Sequence, residues 1–250
     1  MVYVLSDIHG NMRRFKSILK QIDLQPDDTL YVLGDVIDRH PDGIKILRRI
    51  MAMPNVKMLL GNHEYMMLRA LKEPYDGPDD WKDEWEDDTI GLWYRNGGGV
   101  THSAWKHTRK TVRAEIIAYL HSLPLNFDVA VSGKTFKLVH GAPTEMCPSR
   151  DAKHKGLVTQ FAVWDRSAAT DFDLPGGYTL IFGHTPTMEL QDQAVLEIWH
   201  GERRIGIDCG SGFPDGAGAS DWNSYGRLAY LCLDDMKEFY SEECSAEKKG

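Results

Sequence analysis

Leu60-Gly61-Asn62-His63-Glu64 decides how this chain is read. Val56 to Leu60 is an apolar run of strand length, and the helical pattern of Glu64 to Leu71 starts directly after it. Asn62 and His63 therefore fall at the carboxyl end of a strand, where open α/β sheets place their ligands. Taken alone, the segment is equally an ordinary strand-to-helix turn.

The same design recurs along the chain. Val2 to Ser6 leads into Asp7-Ile8-His9-Gly10, and Thr29 to Leu33 into Gly34-Asp35-Val36-Ile37-Asp38-Arg39. Phe136 to Val139 runs into His140-Gly141, and Tyr178 to Phe182 into Gly183-His184-Thr185. Five short strands thus end in Asp, His or Asn, most of them beside a Gly. Hard and borderline divalent cations take ligands of these kinds, and Gly permits the abrupt turn that aims them.

Together, Asp7-x-His9-Gly10, Gly34-Asp35-x-x-Asp38-Arg39, Gly61-Asn62-His63-Glu64, His140-Gly141 and Gly183-His184 resemble the motif set of the calcineurin-like metallophosphoesterases. The Asp38-Arg39 variant is similar to the phosphoprotein phosphatase family, with its bacterial and phage serine/threonine phosphatases and its diadenosine tetraphosphatases. The motifs run from Val4 to Thr185, and Ile207-Asp208 followed by a terminal hairpin also fits. His40 stands where the family usually has Gly after Asp-Arg, and Ala142 where a second Gly follows His-Gly. Neither position is an implied ligand, so the departures bear on loop shape rather than chemistry.

The resemblance implies an α/β fold, a four-layer αββα sandwich of two mixed sheets with an inserted acidic loop or helical segment. A single metallophosphoesterase domain is expected over residues 1–240, with an insert or lid-like segment at 73–99 and a flexible tail at 241–250. It further implies one metal held by Asp7, His9 and Asp35, and a second by Asp35, Asn62, His140 and His184. A shared carboxylate such as Asp35 can bridge ions about 3.5–4 Å apart, and a water held by both becomes hydroxide near neutral pH, the expected nucleophile. Mixed N and O ligands suit Mn, Fe or Zn better than Mg or Ca, and the bacterial relatives favour Mn. The resemblance makes His63 the proton donor to the leaving alkoxide, with Asp38 orienting its ring. Val163-Trp164-Asp165-Arg166 resembles a Trp-x-Arg segment that supplies a second phosphate-binding Arg in phage-type relatives. Arg39 and Arg166 would then grip phosphate oxygens, with Asn62 also on the substrate side.

Helical spacing predicts helices over Asn11 to Gln21, after Pro41 with Ile44, Leu47, Ile50 and Met51 inward, and around Val112 to Ser122. The first third thus reads βαβαβ with parallel strands. A hairpin is expected from Leu125 to Val131 and Thr135 to Val139, and later strands at Ala194 to Ile198, Arg204 to Asp208, Leu228 to Leu233 and Lys237 to Tyr240. Glu73 to Asp88 is acidic and carries Trp81 and Trp85, expected as a solvated surface helix or a lid over the site. Leu92-Trp93-Tyr94-Arg95-Asn96-Gly97-Gly98-Gly99 resembles a substrate-side segment of the bacterial and phage phosphatases. The remaining histidines, His40, His102, His107, His121, His154 and His200, lack such a setting, and only His40 adjoins it.

A length of 250 residues, 42% hydrophobic and 26% charged, suits one soluble core. The net charge of −8 argues against a nucleic-acid partner, and no apolar run approaches a membrane span. Four scattered cysteines without CxxC spacing, and a first strand that leaves no room for a signal peptide, lead us to expect a cytoplasmic protein. The expected function is a dinuclear metal phosphomonoesterase acting on phosphoserine or phosphothreonine in proteins and on small phosphoesters. The alternative is a dinucleoside polyphosphate hydrolase with the same catalytic residues. A catalytically dead scaffold would have lost ligands, and none is lost.

Overall fold

The computed structural model describes residues 1–71, 88–148, 155–170, 174, 176–191, 195–213 and 226–242. The acidic stretch with Trp81 and Trp85, and the tail from 243, lie outside the described residues.

Two five-stranded mixed sheets form the centre. In the first, β1 (Val2–Leu5) pairs in parallel with β2 (Thr29–Val32), which pairs in parallel with β3 (Val56–Met58). On the other side, β1 meets β9 (Ala229–Cys232) antiparallel, and β9 meets β10 (Glu238–Tyr240). The second sheet has the order β4 (Asn126–Val131), β5 (Lys134–Val139), β6 (Thr179–Phe182), β8 (Arg204–Gly206), β7 (Trp199–Gly201). Here β5, β6 and β8 run parallel, and β4 and β7 close the edges antiparallel.

Alternation along each strand builds the layers, because successive side chains point to opposite faces. Val4, Tyr31 and Leu33 share a buried cluster with Phe136, Leu138, Ile181 and Ile205, which is the seam between the sheets. Their neighbours Leu5, Leu30 and Val32 face outward and join a second cluster with Phe15, Ile18, Ile44, Leu47 and Ile50. These come from α1 (Met12–Ile22) and α2 (Gly43–Met51), the crossover helices of the βαβαβ unit. Val139, Leu180 and Phe182 form a third cluster on the far face of the second sheet. The fold is the sandwich expected from the sequence.

Three local details differ from expectation. β3 ends at Met58, and α3 spans Asn62–Ala70, so Asn62 and His63 are the first residues of a helix, not of a connector. Residues 195–198 are irregular, and the strand expected there begins at Trp199. After the acidic stretch, Asp88 caps α4 (Thr89–Arg95) through Gly91 N–H, and α5 (Gly99–Lys106) and α6 (Lys110–Ser122) follow. α7 (Lys155–Trp164) then precedes β6. Cys147, Cys209 and Cys232 are buried free thiols.

Candidate metal centre

The loops after β1, β2, β3, β5 and β6 converge at one end of the sandwich, and backbone bonds tie them together. Asp7 N–H donates to Gly34 O (3.2 Å), His9 N–H to Asp35 O (2.9 Å) and Gly183 N–H to His140 O (3.0 Å). This brings Asp7, His9, Asp35, Asn62, His63, His140 and His184 together, each at most 9% exposed.

The turns are not made by glycine alone. Asp7, His9, Asp35, Asp38, Arg39 and His184 all take positive φ, between 49° and 71°. Each such non-glycine residue costs about 1–3 kcal/mol, and strain of this kind concentrates where a site over-determines its geometry. The sequence shows glycine beside these residues but not the strain on the residues themselves.

Ring hydrogen bonds fix which nitrogen of each histidine faces inward. His9 Nδ1 donates to Ile37 O (3.1 Å), His140 Nδ1 to Leu33 O (2.7 Å), and His184 Nε2 to Trp164 O (3.0 Å). With one nitrogen committed as donor, the other presents a bare lone pair. These lone pairs point at oxygens. His9 Nε2 lies 3.7 Å from Asp35 Oδ2, and His140 Nε2 lies 3.4 Å from Asp35 Oδ1 and 2.8 Å from Asn62 Oδ1. His184 Nδ1 is 3.0 Å from the same Asn62 oxygen. Acceptors facing acceptors in a buried space repel one another unless a cation lies between them.

The electrostatics agree. Burial pushes Asp7 well above the usual carboxylate range and raises Asp35, while it pushes His9 well down and His184 to about 2. The protein by itself drives every ligand toward its neutral form, and divalent charge would reverse that for the carboxylates. Two groups with ligand atoms within 4.8 Å of one another result: His9, Asp35 and His63, and Asp35, His140 and His184. Asp35 belongs to both. Asp7 joins through Oδ1, 3.9 Å from His9 Nε2, and its Oδ2 accepts the His184 N–H at 3.1 Å. The residues present fit two divalent cations.

His63 also has an inward nitrogen, Nε2, 3.8 Å from Asp35 Oδ2, while Nδ1 contacts Asp38 Oδ2 at 2.7 Å. Burial holds the His63 pKa down at about 4 and pushes Asp38 up to about 7. Trp93 Nε1–H donates to the same Asp38 oxygen (2.8 Å), and the Asp38 N–H donates to Thr101 Oγ1 (2.9 Å). Trp93 is fully buried. It supports Asp38 from behind, a role its place in an aromatic-glycine run did not reveal.

Glu64 was missed as well. Its Oε2 accepts from Asp35 N–H (2.9 Å) and Gly61 N–H (3.2 Å), and its Oε1 from Val36 N–H (2.9 Å) and Ile37 N–H (3.2 Å). One fully buried carboxylate thus holds the loop that carries Asp35 against the start of α3. Burial raises its pKa and these backbone donors lower it. The readable signal was Glu at the third position of a helix, where it reaches back to the cap.

The two arginines differ. Arg39 is exposed at the rim, and its charge acts on His9, His63, Asp35 and Asp38. Arg166, just past α7, pairs with Glu189 at 2.7 Å, both about half exposed, and its charge is felt by His184 and Asp208. Asp208, after β8, is buried beside Asp7 and accepts from Gly210 N–H (3.0 Å).

This constellation on this fold fits a class of phosphoesterases that use divalent metal ions. A family model described as calcineurin-like phosphoesterase matches residues 1–188, and the chain belongs to that family of hydrolases. The symmetrical bis(5'-nucleosyl)-tetraphosphatase of Pectobacterium atrosepticum is 37% identical over 68 residues, 26% of this chain and 24% of that protein. The matched stretch is thus about a quarter of the length of such curated relatives. The crystal structure of a candidate diadenosine tetraphosphatase superposes with a TM-score of 0.57 at 16% identity, covering 96% of this chain and 91% of that one. A protein serine/threonine phosphatase from Saccharomyces cerevisiae gives 0.51 at 14%, covering 96% and 79%. These structural likenesses speak to fold alone. Among the described residues, no helix is long and apolar enough to cross a membrane.

Proposed function

We propose that this chain is a dinuclear metal-dependent phosphomonoesterase acting on phosphoserine and phosphothreonine in proteins. The observation that supports the proposal is the His63–Asp38–Trp93 arrangement beside the converging ligands, whose His63 and Asp38 both readings share but which an alkoxide leaving group calls on most. Seryl and threonyl alkoxides are poor leaving groups and need a proton as they depart, which a positioned imidazole supplies. A phosphoanhydride expels a phosphate, which needs no such help.

Asp7, His9 and Asp35 would hold one cation, and Asp35, Asn62, His140 and His184 the other, with Mn our choice over Fe or Zn. Bound there, two divalent cations supply a nucleophile at neutral pH and neutralise charge on the phosphoryl group. His63, with Nδ1 against Asp38, presents Nε2 toward the centre as proton donor to the leaving oxygen. Trp93 and Thr101 fix Asp38, and so fix the ring. Arg39 grips phosphoryl oxygens at the rim as a guanidinium fork, and Arg166 joins it on release from Glu189. Asn62 orients substrate as well as metal.

A second reading, hydrolysis of dinucleoside polyphosphates, is favoured by the tetraphosphatase relative. A cavity of about 270 Å³ lined by Tyr65, Met66, Arg69, Leu92 and Trp164 is the seat a base would take. The deciding experiment measures kcat/KM of wild type and His63→Asn, loaded with Mn, on a phosphoserine peptide and on diadenosine tetraphosphate. The phosphoprotein reading expects the peptide to be the better substrate and to lose about 10²–10⁴-fold with His63→Asn, with metal content unchanged. Faster turnover of the dinucleotide, with little dependence on His63, favours the second reading.

A further inference from the structure

Arg39 has an unusual support. It is exposed, its φ is 63°, and among the described residues no carboxylate forms an ion pair with it. Backbone holds it instead. Its N–H donates to Gly97 O (3.2 Å) in the turn between α4 and α5, and Gly97 itself has φ +96°. A Cβ added to Gly97 would sit 3.0 Å from Arg39 Cγ. On the other side, a Cβ on Gly212 would sit 2.7 Å from both Arg39 Cδ and Nη1, and 2.6 Å from His9 Cδ2. The Gly97 contact is tight, and on the Gly212 side a methyl group would meet the buried His9 ring and could be admitted only if the exposed end of Arg39 swung out of its present position.

The Gly212 wall is fastened from several directions. Arg14 Nη1 donates to Ser211 O (2.7 Å), Ser211 Oγ donates to Ile8 O (3.1 Å), and Gly210 N–H is held by Asp208 Oδ1 (3.0 Å). The loop cannot drift outward without breaking these bonds. Its position is thereby tied to the segment that carries Asp7 and His9.

We infer that Gly97 and Gly212 form a backbone slot that aims the Arg39 guanidinium at the phosphoryl group, which makes Gly212 a positioning residue for substrate binding. The inference rests on the proposed role of Arg39 as the phosphoryl grip. A slot of this kind orients a cation without a carboxylate partner, so among the described residues no fixed anion competes with the substrate for its donors.

The test titrates inorganic phosphate into Mn-loaded wild type, Gly212→Ala, Arg39→Ala and the double variant, following heat, with Mn content measured alongside. Gly212 carries no positive-φ strain, so alanine there reports on space alone. Gly177→Ala, with nothing within 4 Å of its Cβ and no positive φ, is the control. We expect Gly212→Ala and Arg39→Ala each to weaken phosphate by about 10- to 100-fold, the size of a charge-assisted hydrogen bond, and the double variant to be no weaker than Arg39→Ala. KM should rise more than kcat falls, and Gly177→Ala should match wild type. If Gly212→Ala still weakens phosphate in the Arg39→Ala background, or loses Mn, it acts through His9 and the slot is overturned. If Gly212→Ala does not fold, Gly97→Ala takes its place against the other wall under the same cycle. Wild-type phosphate affinity in Arg39→Ala would instead overturn the grip itself, while full loss in Arg39→Ala with none in Gly212→Ala overturns only the slot.

Discussion

Replacing Glu64 by Gln keeps shape and volume but exchanges one acceptor oxygen for an NH2 group. The carboxylate accepts four backbone N–H bonds, two on each oxygen. With the amide oxygen at Oε1, Val36 and Ile37 stay satisfied, and the amide nitrogen then faces Asp35 and Gly61 N–H, donor against donor. Two buried N–H groups lose their partner at about 1–3 kcal/mol each, so the variant should lose roughly 2–6 kcal/mol. Domains are stable by about 5–15 kcal/mol, so most molecules should remain folded at 25 °C. With a urea slope of about 3 kcal/mol/M, the midpoint should fall by roughly 1–2 M. Because one lost bond belongs to Asp35, the residue placed between the two metal groups, Mn affinity should fall as well. Urea unfolding of metal-free protein followed by Mn titration at 25 °C reads both quantities. A midpoint within 0.3 M of wild type, a margin of about 1 kcal/mol at that slope, would refute the clamp reasoning.

Asp35→Asn should fold, since Asn tolerates the φ of 53° found there, yet lose both equivalents of Mn, whereas His184→Ala should lose one. Elemental analysis showing two equivalents in Asp35→Asn would rule out a bridge. Loading Mn near neutral pH should release protons, because burial raises Asp7 and Asp35, and protons on raised carboxylates compete with the metal. The sign follows: affinity falls as pH drops through the raised carboxylate pKa values. Titration in two buffers of different ionisation enthalpy should give different apparent heats, and equal heats would contradict it. Arg166→Ala removes an exposed pair, so stability should change by less than about 1 kcal/mol. Phosphate affinity should weaken all the same, and unchanged affinity would leave Arg166 as a surface residue only.

The sequence by itself determined most of the strands, the crossover helices and which side chains converge at the candidate metal centre. The apolar run Val2–Leu5, helical spacing through Phe15, Ile18 and Ile22, and Asp, His or Asn at five strand ends are local patterns, legible over a few neighbouring residues. Boundaries were less legible. Asn62 and His63 read as a connector but open α3, because Glu64 reaches back to Gly61 and starts the helix early. Tertiary structure decided what local pattern cannot carry. The inward nitrogen of each histidine is chosen by carbonyls distant in sequence, such as Leu33 for His140 and Trp164 for His184. Trp93 became the support of Asp38 across 55 positions, and Gly212 came to rest on Arg39 only when the loop after β8 folded back on β1. These contacts arise from chain closure between segments far apart, where no periodicity links one partner to the other.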